Sequence, residues 1–355
     1  MRVPRVKVGF VGVGRMGQSA HLRNYAALPG CEVVAIAELR PELAKAVASK
    51  YGVPRVYRTH MEMLASEELD AIVAPQQYLN HWALIPELLK AGLPLFVEKP
   101  LAGSVDAARK LTSELGRSRS WVMVGYHKRS DPAVVRMKEE VESWVKSAEA
   151  GSMTYVRITM PPGDWIAGGF DDLVRTQEEP PELEREPLPA DMDGKTYKEF
   201  QSFINYYIHQ VNLLRHLLGE SYDVEYADQS MRLLVARSKS GVPATIEMRP
   251  YSTSLGWQES AFVSFDHGWI RADLPPPLAR GVPGSVTIFR DFAGVPPYTL
   301  TPELPPIDAM RNQAANFIEA VDGKSRPRCE ASEALEDLVV AKDYFRRLKT
   351  RNQVG

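Results

Sequence analysis

An alternation of short apolar runs with helical segments in the first third of the chain constrains its fold more than any other feature. Val6–Val11 is a β-branched run that ends at Gly12, and residues 16–28 have the apolar spacing of a helix. Further strands are predicted at 32–37, 71–74, 94–97 and 121–124, and further helices at 41–50, 81–91 and 104–115. Because strands joined through helices run parallel, this pattern predicts an α/β fold with a doubly wound parallel sheet.

The pattern changes after Tyr126. We expect helices at 132–148 and 197–218, separated by a strand at 154–160 and by a proline- and acid-rich stretch at 178–191, EEPPELEREPLPAD. Strands then follow one another at 231–238, 244–250, 261–266 and 286–292, before helices at 308–321 and 331–349. Consecutive strands predict an open, mainly antiparallel sheet. The length of 355 residues fits two domains, which we place at 1–128 and, as an α+β domain, at 129–355.

Composition excludes several functional classes. Lys plus Arg (43) nearly balances Asp plus Glu (45), so we expect no nucleic-acid partner and no membrane-surface partner. The two cysteines, Cys31 and Cys329, form neither a disulfide framework nor a zinc motif, which is typical of a reducing cytoplasm. We find no signal-peptide pattern, no apolar stretch long enough to span a bilayer and no histidine spacing for a metal.

The turn after the first predicted strand reads Gly12-Val13-Gly14-Arg15-Met16-Gly17, a G-x-G-x-x-G pattern. In this position the first glycine allows a tight turn, the second allows a pyrophosphate to approach the backbone, and the third allows close packing of helix on strand. Glu38 follows 21 residues after Gly17, at the end of the second predicted strand, where an acidic side chain binds the adenosine ribose. The pattern therefore predicts a Rossmann domain that binds a dinucleotide, although a ligand-free glycine turn with a solvated Glu38 is the alternative.

The same residues favour NAD over NADP. Glu38 would repel a 2′-phosphate, whereas Arg40 would bind that phosphate if its side chain turned inward. The cofactor contacts predicted for this part of the chain are Gly12, Gly14, Arg15, Met16, Gly17, Glu38, Leu39 and Arg40.

Glu98-Lys99-Pro100 comes directly after the predicted strand at 94–97. A lysine at the carboxyl end of a parallel strand points into the crevice where open α/β sheets bind ligands. There it can donate a hydrogen bond to a substrate hydroxyl or carbonyl oxygen. The alternative is an ordinary surface ion pair at a strand end.

His209 lies on the helix predicted at 197–218, with Asn205 four residues before it and Asn212 three residues after it. These offsets place the three side chains on one helical face. An imidazole oriented by two amides can act as a general acid or base near neutral pH. The alternative is a buried histidine whose nitrogens are satisfied by neighbouring amides.

Together these motifs resemble the Gfo/Idh/MocA family of oxidoreductases. The resemblance rests on the glycine pattern, on Glu98-Lys99-Pro100, on Gly125-Tyr126 with Arg129, and on the His-x-x-Asn helix. It implies hydride transfer between NAD(P) and a carbon of a sugar, aminosugar or cyclitol, with Lys99 orienting the reacting oxygen and His209 exchanging its proton. It also implies a homodimer or homotetramer formed through the C-terminal sheet.

The remaining site predictions fall into three sets. The catalytic residues are Lys99, His209 and Asn205, the further cofactor contacts are Pro75, Gln76, His81, Glu98, Lys99 and Trp165, and the substrate contacts are Lys99, Tyr126, Arg129, Tyr207, His209 and Asn212.

The chain departs from the family pattern in three places. Asn205 and Asn212 stand where relatives often carry aspartates, and an amide cannot stabilise an imidazolium by charge, so we expect His209 to be a weaker base. The loop at 75–81 is about two residues longer than usual. Residues 160–201 hold an insertion, whose first part around Trp165 resembles a segment near the cofactor in relatives. Its stretch at 178–191 is either a lid, an arm to a neighbouring subunit or a solvated loop.

Three functions are compatible with these patterns. The first is an NAD-dependent dehydrogenase acting on a secondary alcohol. The second is an enzyme that oxidises its substrate transiently, so that a glycoside is eliminated or epimerised with no net redox change. The third is a regulatory protein that binds the dinucleotide without catalysis, which the presence of both Lys99 and His209 disfavours.

Overall fold

A computed structural model describes residues 5–351 of the chain. The chain folds into two compact units. Among the described residues, the first contains residues 5–126 together with Gly168–Gln201 and Met310–Leu335, and the second contains His127–Ala167, Ser202–Ala309 and residues 336–351. The chain first passes from one unit to the other after Tyr126, two residues before the boundary predicted after residue 128. Two later segments, Gly168–Gln201 and Met310–Leu335, belong to the first unit again.

The first unit is built on a six-stranded sheet. Its strands are β1 (Val6–Val11), β2 (Cys31–Ala37), β3 (Arg55–Tyr57), β4 (Ala71–Ala74), β5 (Leu95–Val97) and β6 (Val122–Val124). They lie in the order β3-β2-β1-β4-β5-β6, and every neighbouring pair is parallel. This is the strand order of a doubly wound dinucleotide-binding fold, so the predicted parallel sheet is confirmed. The edge strand β3 was not predicted.

The helices follow in chain order. A π-helical turn, Gly17–Leu22, leads into α1 (Arg23–Ala26), and the later helices are α2 (Pro41–Tyr51), α3 (His60–Ser66), α4 (His81–Leu89), α5 (Val105–Leu115), α6 (Pro132–Ser147), α7 (Gly194–Leu218), α8 (Ala309–Val321) and α9 (Ala331–Arg351). Their ends carry local signals. Helix α2 begins with a proline at its first turn and stops at Gly52, whose φ of 68° ends the helix in a left-handed conformation.

Aromatic side chains fill the core of the first unit. Phe10 of β1 and Phe96 of β5 both pack on Tyr25, with ring centroids 5.3 and 6.5 Å away. Phe317 of α8 lies 5.7 Å from Phe96 and is fully buried. Helix α8 thus completes the hydrophobic core of the Rossmann unit, although it begins nearly two hundred residues after β6, the last strand of that sheet.

The second unit is built on an eight-stranded sheet. Its strands are β7 (Met153–Thr159), β8 (Tyr222–Ala227), β9 (Leu233–Ser238), β10 (Pro243–Glu247), β11 (Glu259–Phe265), β12 (Gly268–Leu274), β13 (Ser285–Arg290) and β14 (Tyr298–Leu300). The order is β14-β13-β12-β11-β7-β10-β9-β8. All pairs are antiparallel except β7 with β10, which confirms the mainly antiparallel sheet. The strands β8, β12 and β14 were not predicted.

The two faces of this second sheet differ. On β11 the side chains alternate between buried and half-buried along the strand. Trp144 of α6 packs edge-on against Phe265 of the buried face, with ring centroids 5.2 Å apart. On the other face the half-buried ring of Trp269 lies between Phe262 and Phe289, at centroid distances of 5.8 and 5.9 Å. The second face is therefore partly apolar and only partly covered.

Within residues 5–351, no helix is long and apolar enough to cross a membrane. The same residues bring together no group of three or more His, Cys, Asp or Glu side chains that could hold a metal ion.

Candidate functional site

The three glycines of the turn after β1 differ in what surrounds them. Gly12 has a φ of +88°, and a Cβ there would lie 1.8 Å from Nε2 of Gln76. A Cβ at Gly17 would lie 2.9 Å from the carbonyl oxygen of Gly12. At Gly14 the nearest atom to such a Cβ is Nη2 of Arg40, at 3.7 Å. The first and third positions therefore need glycine for the turn and for packing, whereas the second leaves the backbone open to a ligand.

Glu38 lies beside this turn at the end of β2. Its Oε2 accepts a hydrogen bond from the amide of Val13 at 3.0 Å and another from Nη2 of Arg40 at 3.1 Å. Its Oε1 accepts from the amide and Nε of Arg40, at 3.2 and 2.9 Å. Burial would raise the pKa of Glu38, but the Arg40 and Val13 hydrogen bonds outweigh burial and hold that pKa below its usual value. Glu38 is thus a buried carboxylate fixed to the glycine turn.

Arg15, Met16 and Leu39 are the other predicted contacts in this region. Arg15 is exposed and Met16 is half-buried at the start of the helical segment that follows the turn. Leu39, between the paired Glu38 and Arg40, is half-buried. All three therefore lie at the surface of the glycine turn and of the end of β2.

The loop after β4 folds back onto the glycine turn. Gln76, which follows Pro75, donates from Nε2 to the carbonyl oxygen of Val11 at 2.9 Å. His81 begins α4, and its Nδ1–H donates to the carbonyl oxygen of Leu101 at 3.0 Å. Burial lowers the pKa of His81 to about 4, so the imidazole is neutral at physiological pH. These bonds connect the β4 loop both to the glycine turn and to the loop that carries Lys99.

Glu98 and Lys99 follow β5 directly. Oε1 of Glu98 lies 2.5 Å from Nε2 of the buried His21, and Oε2 accepts the backbone amide of Lys99 at 3.0 Å. Burial would raise the pKa of Glu98, but the hydrogen bond from His21 and the nearby charges of His21 and Lys99 lower it. One carboxylate therefore fixes the backbone at the half-buried Lys99 and ties it to the helical segment after the glycine turn.

His21 was not identified from the sequence as a site residue. It lies 77 residues from Glu98, and only the fold brings the two together. The one signal that the sequence offers is its position in the helix predicted at 16–28, and that position equally fits an ordinary core residue.

The second unit holds His209, on α7. Its imidazole is 9% exposed and meets the ring of His127 edge-on, with centroids 4.5 Å apart. Asn205, one turn earlier, is exposed. His127 was not identified from the sequence, because it lies in a short 3₁₀ turn far from α7 in the chain.

Three predicted substrate contacts belong to a buried scaffold in the same unit. The Oδ1 atom of Asn212 accepts from Nε of Arg129 at 2.7 Å, and its Nδ2 donates to Asp337 at 2.6 Å. The hydroxyl of Tyr207 donates to the carbonyl oxygen of Met248 at 2.7 Å. These contacts give the three side chains a structural task in holding α7, whatever else they bind.

Two further predicted residues are placed by their backbones. The carbonyl oxygen of Trp165 accepts the amide of Leu278 at 3.2 Å in the second unit. Tyr126 is buried in the first unit, and its amide donates to the carbonyl oxygen of Val124 at 2.8 Å. The predicted cofactor residues, apart from Trp165, thus share the first unit, whereas Asn205, Tyr207, His209, Asn212 and Arg129 share the second.

Residues 168–201, which we call the strap, are held against the Rossmann unit. The side chain of Gln18 makes two hydrogen bonds to the backbone of Val174. It accepts one from the Val174 amide at 2.9 Å and donates one to the Val174 carbonyl oxygen at 3.2 Å. Ser19 donates to the carbonyl oxygen of Gly169 at 2.7 Å. Gln18 and Ser19 both lie on the helical segment directly after the glycine turn. This part of the strap is therefore bound next to the predicted dinucleotide site.

The acid-rich stretch of the strap is anchored at Glu186. Its Oε2 accepts the amide of Gly103 at 2.7 Å, and its own amide donates to the carbonyl oxygen of Leu79 at 2.9 Å. Glu186 is buried, and burial raises its pKa. This anchored part of 178–191 is therefore not a freely solvated loop, while a role as a lid or an intersubunit arm stays a prediction.

Comparisons with known proteins agree with this geometry. Residues 6–126 match the GFO_IDH_MocA family, described as an oxidoreductase family with an NAD-binding Rossmann fold. Inositol 2-dehydrogenase of Rubrobacter xylanophilus is 38% identical over 141 residues, which are 39% of this chain and 40% of that protein. Alignments with the first few relatives thus span about two fifths of their length.

Longer matches are weaker in sequence. Inositol 2-dehydrogenase of Burkholderia lata is 23% identical over 81% of this chain and 80% of its own. The crystal structure of the WlbA dehydrogenase from Bordetella pertussis, in complex with NADH and UDP-GlcNAcA, superposes with a TM-score of 0.69 at 18% identity, covering 97% of both chains. At that identity the likeness shows a shared fold over nearly the whole chain.

Proposed function

We propose that the chain is an NAD-dependent dehydrogenase of the Gfo/Idh/MocA oxidoreductase family, whose model matches its Rossmann segment at 6–126. Its substrate would be a secondary alcohol or ketone of a sugar, an aminosugar or a cyclitol. The inositol dehydrogenases among its relatives support this substrate class.

The observation that carries the proposal is the attachment of Glu38 to the glycine turn. The 3.0 Å hydrogen bond from the amide of Val13 fixes the carboxylate beside the open backbone at Gly14. A pyrophosphate at Gly14 and a ribose at Glu38 are the two contacts that a dinucleotide needs at this end of a doubly wound sheet. The residues present therefore fit the cofactor.

The bound nicotinamide would supply hydride exchange with the substrate carbon. In the oxidative direction we assign acceptance of the hydroxyl proton to His209 and a stabilising hydrogen bond to the same oxygen to Lys99. Glu98 supports this role, because its carboxylate fixes the backbone amide of Lys99 at 3.0 Å. His21, at 2.5 Å from Glu98, holds that carboxylate in turn.

We propose NAD rather than NADP as the preferred cofactor. The support is the buried Glu38, which is held ionised and would face a 2′-phosphate with like charge. Arg40 is paired with that same carboxylate through Nε and Nη2 and is not turned toward an independent anion site.

A second function is supported by one residue. Asn205 gives the imidazole of His209 an amide neighbour along the helix where a carboxylate would stabilise its charged form. This substitution leaves room for a reaction in which transient oxidation by retained NAD leads to elimination or epimerisation of a glycoside without net release of NADH.

A homodimer or homotetramer formed through the second sheet is also proposed. The support is the half-buried aromatic row of Phe262, Trp269 and Phe289 on one face of that sheet. Trp269→Glu should shift the mass measured by light scattering toward the monomer.

A cytoplasmic location stays a prediction, supported by two buried free cysteines.

The dehydrogenase proposal is tested by a substrate panel. Purified protein is mixed with NAD and with single inositols, aldoses, aminosugars or nucleotide sugars, and NADH fluorescence is followed, with Lys99→Ala as the inactive control. NADH formed with at least one compound, and abolished in the variant, supports the proposal. If the protein binds NAD but no compound yields NADH or a changed sugar, a binding-only role is the better account.

A further inference from the structure

A carboxylate of the strap lies on the first turn of α2. Glu178 accepts the backbone amide of Glu42 on Oε1 at 3.2 Å and that of Leu43 on Oε2 at 2.9 Å. Thr176 donates to Oε2 of the same side chain at 3.3 Å. The residue that precedes α2, Arg40, makes no capping hydrogen bond through its side chain. Glu178 therefore caps a helix that begins more than 130 residues before it in the chain.

This helix begins directly beside the predicted ribose contact. Glu38 directly follows β2, Arg40 precedes the helix, and the amides bound by Glu178 belong to the second and third helical residues. A 2′-phosphate on a ribose held by Glu38 would therefore meet the first turn of α2. Helix amides and the helix dipole normally favour an anion there.

We propose that Glu178 is a second determinant of cofactor specificity, which excludes a 2′-phosphate by occupying these amides with a carboxylate of the chain itself. The inference rests on the proposed dinucleotide function and deepens it. A 2′-phosphate would face the charges of Glu38 and Glu178 together, and the amides that would otherwise bind it already have an acceptor. A ribose hydroxyl carries no charge, so NAD is not excluded in this way.

The position of Glu178 does not depend on its own two hydrogen bonds alone. Gln18 holds Val174 through two hydrogen bonds, and Ser19 holds Gly169. Glu186 anchors the strap again on its other side. Removing one carboxylate at position 178 should therefore leave the strap in place, which makes a charge substitution there an interpretable experiment.

The test compares affinities of the 355-residue chain for NAD and NADP by isothermal titration calorimetry. Glu178→Gln keeps the size and a hydrogen-bond acceptor but removes the charge, and Glu178→Ala also exposes the two amides. Glu182→Gln, at an exposed position of the same stretch, is the matched control for loss of one negative charge. Hydrogen exchange at the Leu43 amide reports whether the cap has been lost.

We expect Glu178→Gln to raise NADP affinity roughly fivefold and Glu178→Ala roughly tenfold or more, on the scale of one partly screened charge contact. NAD affinity should stay within about twofold, and the control should change neither. If wild type binds NAD and the NADP-to-NAD affinity ratio of both Glu178 variants stays at the wild-type value, the inference is wrong and the proposed function is untouched. If wild type binds neither nucleotide, the proposed function itself fails and the inference with it.

Discussion

Replacing Glu38 by alanine should reverse much of the discrimination between NAD and NADP. The carboxylate has two oxygens, and each already accepts two hydrogen bonds, from Val13 and from Arg40. Because a carboxylate offers about four acceptor positions, ribose hydroxyls can bind Glu38 only by displacing part of the Arg40 contact. The gain from the ribose is therefore smaller than the gross energy of two new hydrogen bonds.

The size of the effect follows from this exchange. Two hydrogen bonds to a charged group contribute at most about 1.5–3 kcal/mol each, and the displaced Arg40 bonds offset part of that sum. A net loss of about 1.4–3 kcal/mol predicts a tenfold to hundredfold weaker Kd for NAD in Glu38→Ala. NADP should lose little or gain affinity, since the repulsive charge is gone and Arg40 is released to meet the phosphate.

Fluorescence titration of NADH and NADPH against wild type and Glu38→Ala measures both constants. Glu32→Ala is the matched control, because Glu32 lies near the opposite end of β2 and makes an exposed ion pair with Arg5 at 3.0 Å. Its loss should change neither Kd. An unchanged NADH-to-NADPH affinity ratio in a folded Glu38→Ala protein would refute the assignment of Glu38 to the adenosine ribose.

Further predictions concern the proposed catalytic groups and two buried histidines. Lys99→Ala and His209→Ala should each lower kcat by about 10²-fold or more while leaving the Kd for NAD nearly unchanged, measured by steady-state kinetics and titration. His21→Ala leaves a largely buried carboxylate without the imidazole that lies 2.5 Å from it and should lower the free energy of unfolding by about 3 kcal/mol in denaturant titrations, whereas His60→Ala, which removes a more exposed contact, should cost under about 1 kcal/mol. For His81, the folded pKa of about 4 lies below the unfolded value of about 6.5, so the unfolded chain takes up a proton that the folded chain refuses. The stability contributed by neutral His81 is therefore present above pH 6.5 and falls by about 3 kcal/mol as the pH drops to 4, and His81→Gln should lack this part of the slope.

The Rossmann sheet could be predicted because its central strands are short, mostly apolar runs separated by helical segments. Strand β1 has the predicted bounds, Val6–Val11, and β4 has the predicted bounds, Ala71–Ala74. The edge strand β3 could not be found in the same way, since Arg55–Tyr57 is only three residues long and two of its residues are exposed. A short edge strand has no buried face to produce a pattern.

The second sheet was harder to predict from the sequence. Strand β12, Gly268–Leu274, alternates Ile270, Ala272 and Leu274 on its buried face with Arg271 and Asp273 on the other face, so it carries a strand pattern that the sequence analysis overlooked. The parallel pairing of β10 with β7 joins strands more than eighty residues apart and has no local signal. Local patterns thus predicted the class of this sheet but not its full set of strands.

The strap shows most clearly what a sequence pattern leaves out. Its proline- and acid-rich composition correctly predicts irregular backbone, because proline removes hydrogen-bond donors. Composition does not indicate that Glu178 and Glu186 bind backbone amides of the Rossmann unit while the residues between them are exposed. Likewise Glu38 and Lys99 belong to recognisable sequence motifs. His21 and His127, in contrast, contact site residues (Glu98 and His209) only because the fold brings them together.

Transfer of an isotope tests the proposed hydride transfer most directly. A substrate identified in the panel is prepared with deuterium on the carbon that bears the reacting hydroxyl, and the nicotinamide product is examined by mass spectrometry and proton NMR. The account predicts NADH that carries one deuterium at the nicotinamide ring, formed in equal amount with a keto product. A changed sugar that appears without accumulation of deuterated NADH would contradict net dehydrogenation and favour the elimination or epimerisation alternative.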